Sequence, residues 1–391
     1  MAELNKRKVC IIITTRGNYA KMESVIKFIN ERNDLELQLV LGGGVLLPKY
    51  GEMVRAIEED NVKIHRKIYF LVDGETPVTM AKSAGMALNE FSTAFEDLKP
   101  DMVLVIADRF ECLPIAIAAS YMNIPIAHVE GGEVSGSIDE SIRHAITKLS
   151  HIHFPATEEA AERIRRLGEN TEAIHVVGSP SIDLIAEIDF SSYDGFYKLQ
   201  EQQGTRGVGP IIDLHKPYIL VSQHPVTTEY EESLHHAEQT IMAINSLGIN
   251  TFWIWPNMDA GSDGVSKAIR MFREKEKPQF VHFFKSLKFE QYAKLMNNAM
   301  CLVGNSSSGI REAAFLGVPV VNIGTRQDGR TRCKNVIDVD YDMEEILTAI
   351  KKQIDHGRYP QSKLYGDGES GKKITEVLAT SNVSLQKRIC Y

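Results

Sequence analysis

The chain has no apolar run long enough to cross a membrane and no excess of basic residues. A transmembrane helix needs about 20 consecutive apolar residues, so we expect no membrane partner. Its 44 lysines and arginines are outnumbered by 52 aspartates and glutamates, which gives a net charge of −8 at pH 7. This balance argues against a nucleic-acid partner, because nucleic-acid-binding surfaces are basic.

Cysteine is scarce, and two common nucleotide motifs are missing. The five cysteines are widely spaced, odd in number and form no CxxC pair. They argue against a disulfide framework or a cysteine zinc site, and we expect a cytoplasmic protein. The chain also lacks the GxxxxGK[ST] phosphate loop and the GxGxxG fingerprint, which disfavours ATP and NAD as ligands.

At 391 residues the chain is too long for one compact core, so two domains are expected. Short β-rich runs alternate with helical stretches almost throughout, which is typical of an α/β protein with parallel sheets covered on both faces. The pattern breaks between Pro180 and Pro217. We therefore predict domains at residues 1–185 and 186–370, followed by a helix at residues 371–391 that is able to cross back to the first domain.

The alternation also predicts individual elements. The predicted strands are Val9–Thr14, Leu37–Leu41, Met102–Ile106, Ile124–Val129, His175–Val177, Tyr218–Ser222, Thr251–Trp255, Phe280–Phe284, Ala299–Val303, Val318–Ile323 and Asn335–Val339. The predicted helices are Tyr19–Glu31, Pro77–Leu98, Glu111–Met122, Asp139–Leu149, Glu158–Leu167, Glu231–Leu247, Val265–Arg273, Phe289–Asn297, Gly309–Leu316 and Met343–Asp355.

The densest cluster of ionisable residues is the run HVEGGEVSGSIDESIRH, from His128 to His144. It follows a predicted strand and leads into a predicted helix. Ligands of open parallel sheets bind where strands end, and carboxylates placed there can exchange protons with a bound molecule. We interpret this turn, with Glu130 and Asp139, as the chemical centre. Asp108, which ends the strand beginning at Met102, adds a third carboxylate.

Polar turns also follow the strands of the second half. Gly304–Glu312 places small hydroxyl residues between a strand and a helix, where backbone N–H groups can bind an anion. Within it, Glu312 is placed to accept hydrogen bonds from ribose hydroxyls. His224 and Arg326 follow two further strands, and the planar fork of Arg326 can grip a phosphate. These turns predict a site for a phosphorylated ligand.

Four histidines lie near the chemical centre, at His128, His144, His151 and His153. They form no metal-ligand pattern such as HExxH. We interpret them as proton-relay or structural hydrogen-bonding residues, and expect neither a metal nor a cofactor.

Taken in order, these runs resemble the hydrolysing UDP-N-acetylglucosamine 2-epimerases of sialic-acid biosynthesis. They also resemble the epimerase half of the bifunctional epimerase/N-acetylmannosamine kinase. The resemblance spans essentially the whole chain, and the block from His128 to His153 is its most specific part. It implies two Rossmann-like domains with a deep interdomain cleft (the GT-B arrangement), with UDP held mainly by the second domain and the sugar by the first. A homodimer or homotetramer is expected.

The resemblance implies a hydrolase reaction on a UDP-sugar. Elimination of UDP gives 2-acetamidoglucal, and hydration then gives N-acetylmannosamine, the first step of sialic-acid biosynthesis. Asp108, Glu130 and Asp139 match the family's catalytic carboxylates. The positions that match substrate-binding residues are Arg16, Arg109, Arg143, His144, His224, Asn257, Asp259, Leu287, Ser306, Ser307, Glu312 and Arg326.

The chain departs from its relatives in the sugar-facing domain. Gly42–Leu47 and Ile106–Arg109 lack histidines that relatives often carry, and relatives commonly have glycine where this chain has Ala107. Arg16–Ala20 is altered as well. UDP is therefore more firmly predicted than the sugar, and UDP-N,N'-diacetylbacillosamine is a second candidate substrate. Three competing functions stay open: a non-hydrolysing UDP-N-acetylglucosamine 2-epimerase, a GT-B glycosyltransferase and a non-catalytic UDP-sugar-binding protein.

Overall fold

The computed structural model describes residues 6–48, 53–59, 62–74, 76–192, 194–256, 259–285 and 287–390. Within them the chain forms two compact units. The first unit contains the described residues up to Glu133, then Ile138–Ala186, and then those from Tyr365 onward. The second contains Val134–Ser137 and Glu187–Leu364.

The first unit is built on a sheet of six parallel strands. The strands are β1 (Arg7–Ile13), β2 (Leu35–Gly42), β3 (Ile64–Ile68), β4 (Met102–Ile106), β5 (Ile126–Val129) and β6 (Ile152–Phe154). Their order across the sheet is β3-β2-β1-β4-β5-β6, and every pairing is parallel. This is the Rossmann order, whose topological switch lies between β1 and β4.

Helices cover both faces of this sheet. They are α1 (Arg16–Glu31), α2 (Met53–Glu59), α3 (Pro77–Leu98), α4 (Cys112–Tyr121), α5 (Asp139–Leu149), α6 (Glu158–Arg166), α7 (Pro180–Glu187) and α15 (Ser370–Thr380). Because side chains alternate along a strand, Val9 and Ile11 pack into one core and Cys10 and Ile12 into another. The first core includes α1 and α15, and the second includes α3 and α4.

The C-terminal helix α15 is fixed to the first unit by a buried carboxylate. Asp183 accepts hydrogen bonds from the backbone N–H groups of Ser370 (2.9 Å) and Gly371 (2.6 Å), at the start of α15. It also accepts one from the hydroxyl of Ser24 on α1 (3.0 Å). The start of a helix has unpaired N–H groups, so Asp183 ties α15 to α1.

The residues after α15 dock on the same unit through Glu169. This buried carboxylate contacts Lys148 Nζ (2.6 Å), Lys387 Nζ (2.7 Å) and His153 Nε2 (3.1 Å). The N–H of Cys390 also donates to Gly168 O (2.9 Å). Burial raises the pKa of the Glu169 carboxyl, but the hydrogen bonds from His153, Lys148 and Lys387 outweigh it and lower the pKa to about 2.

The second unit repeats the same strand order with one addition. Its strands are β7 (Gly207–Val208), β8 (Ile219–Ser222), β9 (Thr251–Ile254), β10 (Val281–Phe284), β11 (Leu302–Gly304), β12 (Val320–Ile323) and β13 (Val336–Val339). The order is β13-β12-β11-β8-β9-β10-β7. Only β7 pairs antiparallel among these described strands. The switch point here lies between β8 and β11.

The helices of the second unit surround its sheet. They are α8 (Asp194–Arg206), α9 (Ser233–Leu247), α10 (Ser262–Glu276), α11 (Phe289–Asn298), α12 (Ser307–Ile310), α13 (Glu312–Leu316) and α14 (Met343–His356). The apolar stripes of α9, α10 and α14 share one core with the buried strand residues. Within the described residues of both units, no helix is long and apolar enough to cross a membrane.

The sequence predictions of elements differ from the structure in several places. His175–Val177 is not a strand, because only Ile174 forms a bridge there. The edge strands β3 and β6 were missed, since β3 carries three polar residues in five and β6 has only three residues. The predicted helix Gly309–Leu316 is divided at Arg311 into α12 and α13.

Replacement Glu169→Gln should reduce stability in a pH-dependent way. Glu169 is ionised in both the folded and the unfolded chain above its ordinary pKa of 4.5, so its contribution is complete there and is lost as the pH falls toward about 2. We expect a loss of about 1–2 kcal/mol near neutral pH, allowing for the partial exposure of the two lysines. Denaturant unfolding between pH 7 and pH 2 measures it.

The matched control is Glu162→Gln, which removes a carboxylate on the exposed face of α6 that pairs with Arg165 and Arg166. Exposed ion pairs contribute little, so this variant should unfold like the wild type. The role given to Glu169 would be contradicted if the difference in unfolding free energy between Glu169→Gln and the wild type did not shrink toward pH 2.

Candidate functional site

In the first unit, the candidate site is built on the turns that follow β4 and β5. Ala107 and Glu130 stand directly after these strands, and both have left-handed backbones, with φ of 64° and 62°. Non-glycine residues rarely adopt this conformation, which costs about 1–3 kcal/mol and is concentrated at functional sites. The backbone therefore turns sharply at Glu130 and immediately before Asp108.

Glu130 is almost fully buried, with 1% of its surface exposed. One carboxylate oxygen accepts a hydrogen bond from Lys21 Nζ on α1 (2.6 Å), and the other accepts one from the hydroxyl of Ser179 (2.6 Å). Ser179 is in turn 3.0 Å from the hydroxyl of Ser181. A buried carboxylate needs such partners, because an unpaired charge in the interior is costly.

Asp108 is held by Arg143, which lies on α5 and is fully buried. The guanidinium of Arg143 also donates to Glu133 O (2.7 Å) and to Glu140 (3.1 Å). Burial lowers the pKa of Arg143, but Asp108, Glu133 and Glu140 outweigh it and raise the pKa. Arg143 thus joins the β4 turn, the β5 turn and α5.

Other predicted residues lie around this network. His144 contacts Glu140 through Nε2 (2.9 Å), and Arg109 Nε donates to Glu111 (2.8 Å). Asp139 is the first residue of α5 and is half-buried. Arg16 is the first residue of α1, but its side chain lies outside the described part of the structure.

The second glycine of the Glu130 turn lets the turn approach α6. Gly132 has a φ of 73°, and a Cβ there would collide with Ala160 O. The turn and the helix backbone are therefore in direct contact, and only glycine combines this backbone conformation with the absence of a side chain.

In the second unit, Asn305 holds together three of the polar turns. Its side chain accepts a hydrogen bond from the N–H of His224 (2.7 Å) and donates one to His224 O (2.8 Å). Its own carbonyl accepts from Arg326 Nη1 (3.1 Å) and Gln327 Nε2 (2.8 Å). The turns after β8, β11 and β12 are thereby fixed to one another beside the switch point.

Three serines, Ser306 to Ser308, follow Asn305 and precede Glu312 in the chain. Ser306 caps α12, its hydroxyl lies 2.9 Å from that of Ser308, and Ser308 lies 2.6 Å from the hydroxyl of Tyr292. Ser307, the first residue of α12, is half-buried. Glu312 is buried, and its Oε2 has no hydrogen-bond partner within the described residues. That oxygen is available to accept a hydrogen bond from a ligand.

Two further predicted residues of the second unit, Asp259 and Leu287, follow β9 and β10. Asp259 is buried in the turn before α10, where its carbonyl accepts the N–H of Ser262 (3.0 Å). Leu287 is buried after β10. Asn257 lies outside the described residues.

Sequence reasoning missed Lys21, Ser179 and Asn305. Each acts through a partner far away in the sequence: Lys21 and Ser179 meet Glu130 at separations of 109 and 49 residues. One signal for Lys21 was present, since it directly follows the segment Arg16–Ala20 that was compared with the relatives.

The chain that forms these turns matches one known protein family. Residues 27–379 match the family described as UDP-N-acetylglucosamine 2-epimerase. The chain belongs to this 2-epimerase family. The predicted resemblance is confirmed at that level.

Two curated relatives and one solved structure resemble this 2-epimerase along nearly its whole length. It is 35% identical to a Legionella pneumophila protein named UDP-N,N'-diacetylbacillosamine 2-epimerase (hydrolyzing), with 96% of each chain covered. It is 33% identical to a UDP-N-acetylglucosamine 2-epimerase of Neisseria meningitidis, with 98% of each chain covered. A crystal structure of UDP-GlcNAc 2-epimerase from Neisseria meningitidis, bound to UDP-GlcNAc, matches with a TM-score of 0.78, at 19% identity and over 96% of this chain and 100% of that one. The predicted α/β fold of the GT-B class is confirmed.

No group of three or more His, Cys, Asp or Glu side chains in the described part of this 2-epimerase is arranged to hold a metal ion. Of the histidines weighed as ligands, His153 contacts Glu169 and His151 Nδ1 accepts the N–H of Ile126 (3.2 Å). The predicted homodimer or homotetramer stays a prediction.

Replacement Gly132→Ala should destabilise the 2-epimerase by about 2–4 kcal/mol, because it adds a left-handed backbone penalty to a collision with Ala160 O. Thermal and denaturant unfolding measure the change. Gly85→Ala is the control: Gly85 lies within α3 with no atom within 4 Å of its added Cβ. It should raise stability by about 0.5–1 kcal/mol, and equal effects of the two variants would refute the close approach.

Proposed function

We propose that the protein is a hydrolysing 2-epimerase that converts UDP-N-acetylglucosamine and water to N-acetylmannosamine and UDP. The observation that carries the proposal is the pairing of strand-end carboxylates with cations in the first unit. Glu130 is paired with Lys21, and Asp108 with Arg143. Membership of the 2-epimerase family supports the reaction class.

The chemistry requires more than one acid or base. The C2 proton of the sugar is not acidic, because no carbonyl adjoins it. Departure of UDP from C1 gives that carbon cationic character, and C2–H then becomes removable. One carboxylate of the set takes the C2 proton, which leaves 2-acetamidoglucal and UDP. Protonation of C2 on the opposite face and addition of water at C1 give N-acetylmannosamine.

The second unit supplies the binding side of the proposal. UDP leaves with a charged diphosphate, which hydrogen-bond donors already in place can stabilise. Arg326, His224 and the hydroxyls of Ser306 and Ser307 are such donors, and Asn305 fixes their turns beforehand. In the proposal, the buried free oxygen of Glu312 accepts from ribose hydroxyls.

Two observations favour hydrolysis over return of a UDP-sugar. The turn Glu130-Gly131-Gly132-Glu133 differs from the Glu-Ala-Gly-Leu-type turn typical of non-hydrolysing enzymes. A relative that is 35% identical over nearly the whole chain is named as hydrolyzing. The non-hydrolysing reaction is the outcome that a product analysis must exclude.

A second substrate, UDP-N,N'-diacetylbacillosamine, is favoured by the turn after β2. Val45 and Leu46 in that turn are buried with the apolar core, at a place where relatives often carry a histidine. Relative to N-acetylglucosamine, diacetylbacillosamine has an acetamido group in place of one hydroxyl and a methyl group in place of the hydroxymethyl group, so it has one hydroxyl fewer to bind. The Legionella pneumophila relative is named for this substrate.

The reaction class is tested by turnover in D2O. Enzyme treated with EDTA and given UDP-N-acetylglucosamine should release UDP and free N-acetylmannosamine with deuterium at C2, and it should hydrate 2-acetamidoglucal. Mass spectrometry and proton NMR identify the products.

Each different result of that experiment has a definite meaning. Accumulation of UDP-N-acetylmannosamine without free sugar would replace the proposal by the non-hydrolysing reaction. Turnover restricted to UDP-N,N'-diacetylbacillosamine would keep the mechanism and change the substrate. Loss of activity with EDTA that a divalent ion restores would contradict the proposed carboxylate chemistry.

Two substitutions should separate chemistry from UDP binding. Glu130→Gln is expected to lower kcat by about 10²–10⁴-fold, as for loss of a general acid or base, with UDP affinity unchanged. Glu312→Ala should weaken UDP binding by about 1–3 kcal/mol, the worth of charge-assisted hydrogen bonds. Calorimetry with UDP and steady-state kinetics measure the two effects. Wild-type turnover in Glu130→Gln would remove Glu130 from the mechanism, and wild-type UDP affinity in Glu312→Ala would place the ribose elsewhere.

A further inference from the structure

His128 lies at the centre of the first unit's candidate site, and the proposed mechanism gives it no role. It is fully buried on β5, two residues before Glu130. Its ring nitrogen Nε2 is 2.8 Å from Ala107 O, and its Nδ1 is 3.3 Å from the hydroxyl of Thr147. Thr147 stands one helical turn after Arg143 on α5. His128 therefore contacts the three segments that carry the candidate carboxylates.

These contacts determine which ring nitrogen carries the proton. A carbonyl oxygen can only accept, so Nε2 must carry the hydrogen toward Ala107 O. Burial lowers the pKa of His128 to about 4, although the hydrogen bond to Ala107 opposes this. The ring is therefore neutral near pH 7, and Nδ1 accepts the hydroxyl hydrogen of Thr147. In this state both ring nitrogens have partners.

The first glycine of the turn makes room for this arrangement. A Cβ on Gly131 would lie 2.9 Å from His128 Nδ1 and 3.1 Å from Thr147 Oγ1. Both distances are tighter than ordinary contacts, and both involve the atoms of the His128–Thr147 hydrogen bond. A side chain at position 131 would therefore push that hydrogen bond apart.

The carbonyl that His128 holds belongs to a strained residue. Ala107 has a φ of 64°, and its N–H donates to Val129 O (2.9 Å). Residues of β5 therefore bond both its N–H and its carbonyl. The following residue is Asp108, which meets Arg143. Rotation of the Ala107 peptide out of the left-handed conformation would carry the Asp108 carboxylate away from the guanidinium.

We propose that His128 is a positioning residue: its Nε2–H holds the Ala107 carbonyl and so keeps Asp108 in place beside the Glu130 turn. The inference rests on the proposed function for its kinetic consequence. His128 transfers no proton to the substrate. Its effect passes through the backbone of Ala107.

Three substitutions of His128 distinguish a held carbonyl from simple core packing. Glutamine places an amide N–H where Nε2 stands, asparagine places one only where Nδ1 stands, and leucine fills the space without a donor. His175→Leu is the matched control, because His175 is a half-buried histidine of the same unit whose ring packs against Phe154. Circular dichroism at the assay temperature confirms that each variant is folded.

Turnover should follow the position of the donor. His128→Leu and His128→Asn should lose about 10²-fold in kcat, the cost of misplacing a reacting group by about 1 Å, with KM and UDP affinity unchanged. His128→Gln should recover most of this loss, and His175→Leu should match the wild type. In His128→Gln, the plot of kcat/KM against pH should keep both its acid limb and its alkaline limb. Wild-type kcat in folded His128→Leu would overturn the inference, and so would loss of a limb, since it would make His128 a proton carrier.

A second readout does not depend on turnover. Hydrogen exchange at the backbone N–H groups of residues 107–109 should accelerate in His128→Leu and His128→Asn, and less in His128→Gln. Thr147→Val and Gly131→Ala should accelerate the same groups, because each disturbs the Nδ1 contact. If the wild type fails to turn over either UDP-sugar, the proposed function fails while this measurement still tests the positioning role. Unchanged exchange at residues 107–109 in all five variants would overturn it.

Discussion

The first unit's candidate site depends on the contacts of one buried cation, the guanidinium of Arg143. A charge removed from water costs several kcal/mol unless it is paired, and Arg143 is fully buried. This cost is offset by contacts with Asp108, Glu140 and the carbonyl of Glu133. Because these groups come from the β4 turn, from α5 and from the β5 turn, one cation fixes the relative positions of three segments. Removing any of them would leave the guanidinium short of a partner, so the geometry of the carboxylates and the stability of the unit are linked.

In the proposed function the second unit binds UDP, which poses a different physical problem. A ligand with a charged diphosphate brings its own negative charge, so a site for it needs donors that are already oriented rather than fixed ion pairs. The junction at Asn305 is made of amide and backbone groups, with Arg326 as the cation that touches it. The junction fixes the three turns through amide and backbone groups, so it does not neutralise the charge of Arg326. The two units thus share one strand order but differ in their polar contacts. The first pairs its carboxylates with cations, and the second holds Arg326 and the serine hydroxyls in place for the proposed anion.

The fold was predictable because alternation of strands and helices is a local property of the sequence. Both Rossmann sheets follow from it, and the strands that were missed are those at an edge. Strand β3 reads as polar because an edge strand can face solvent, and β6 is too short to show a period. The candidate site was only partly predictable. Carboxylates beside glycines mark a turn, but the partners that hold them lie elsewhere in the chain. Lys21 reaches Glu130 across 109 residues, and no local pattern encodes that distance.

The backbone at residue 107 shows that a site needs hydrogen bonds that keep its strained residues in place. Relatives commonly carry glycine there, which adopts a left-handed backbone without penalty. This chain carries alanine at a φ of 64°, at a cost of about 1–3 kcal/mol. Glycine would relieve that strain but would also let the peptide before Asp108 rotate. Alanine has fewer conformations to lose, provided that hydrogen bonds outweigh the strain. The N–H of Ala107 donates to Val129 O, and its carbonyl accepts from His128. Both polar groups of the strained residue are therefore satisfied by β5, the strand that leads into Glu130.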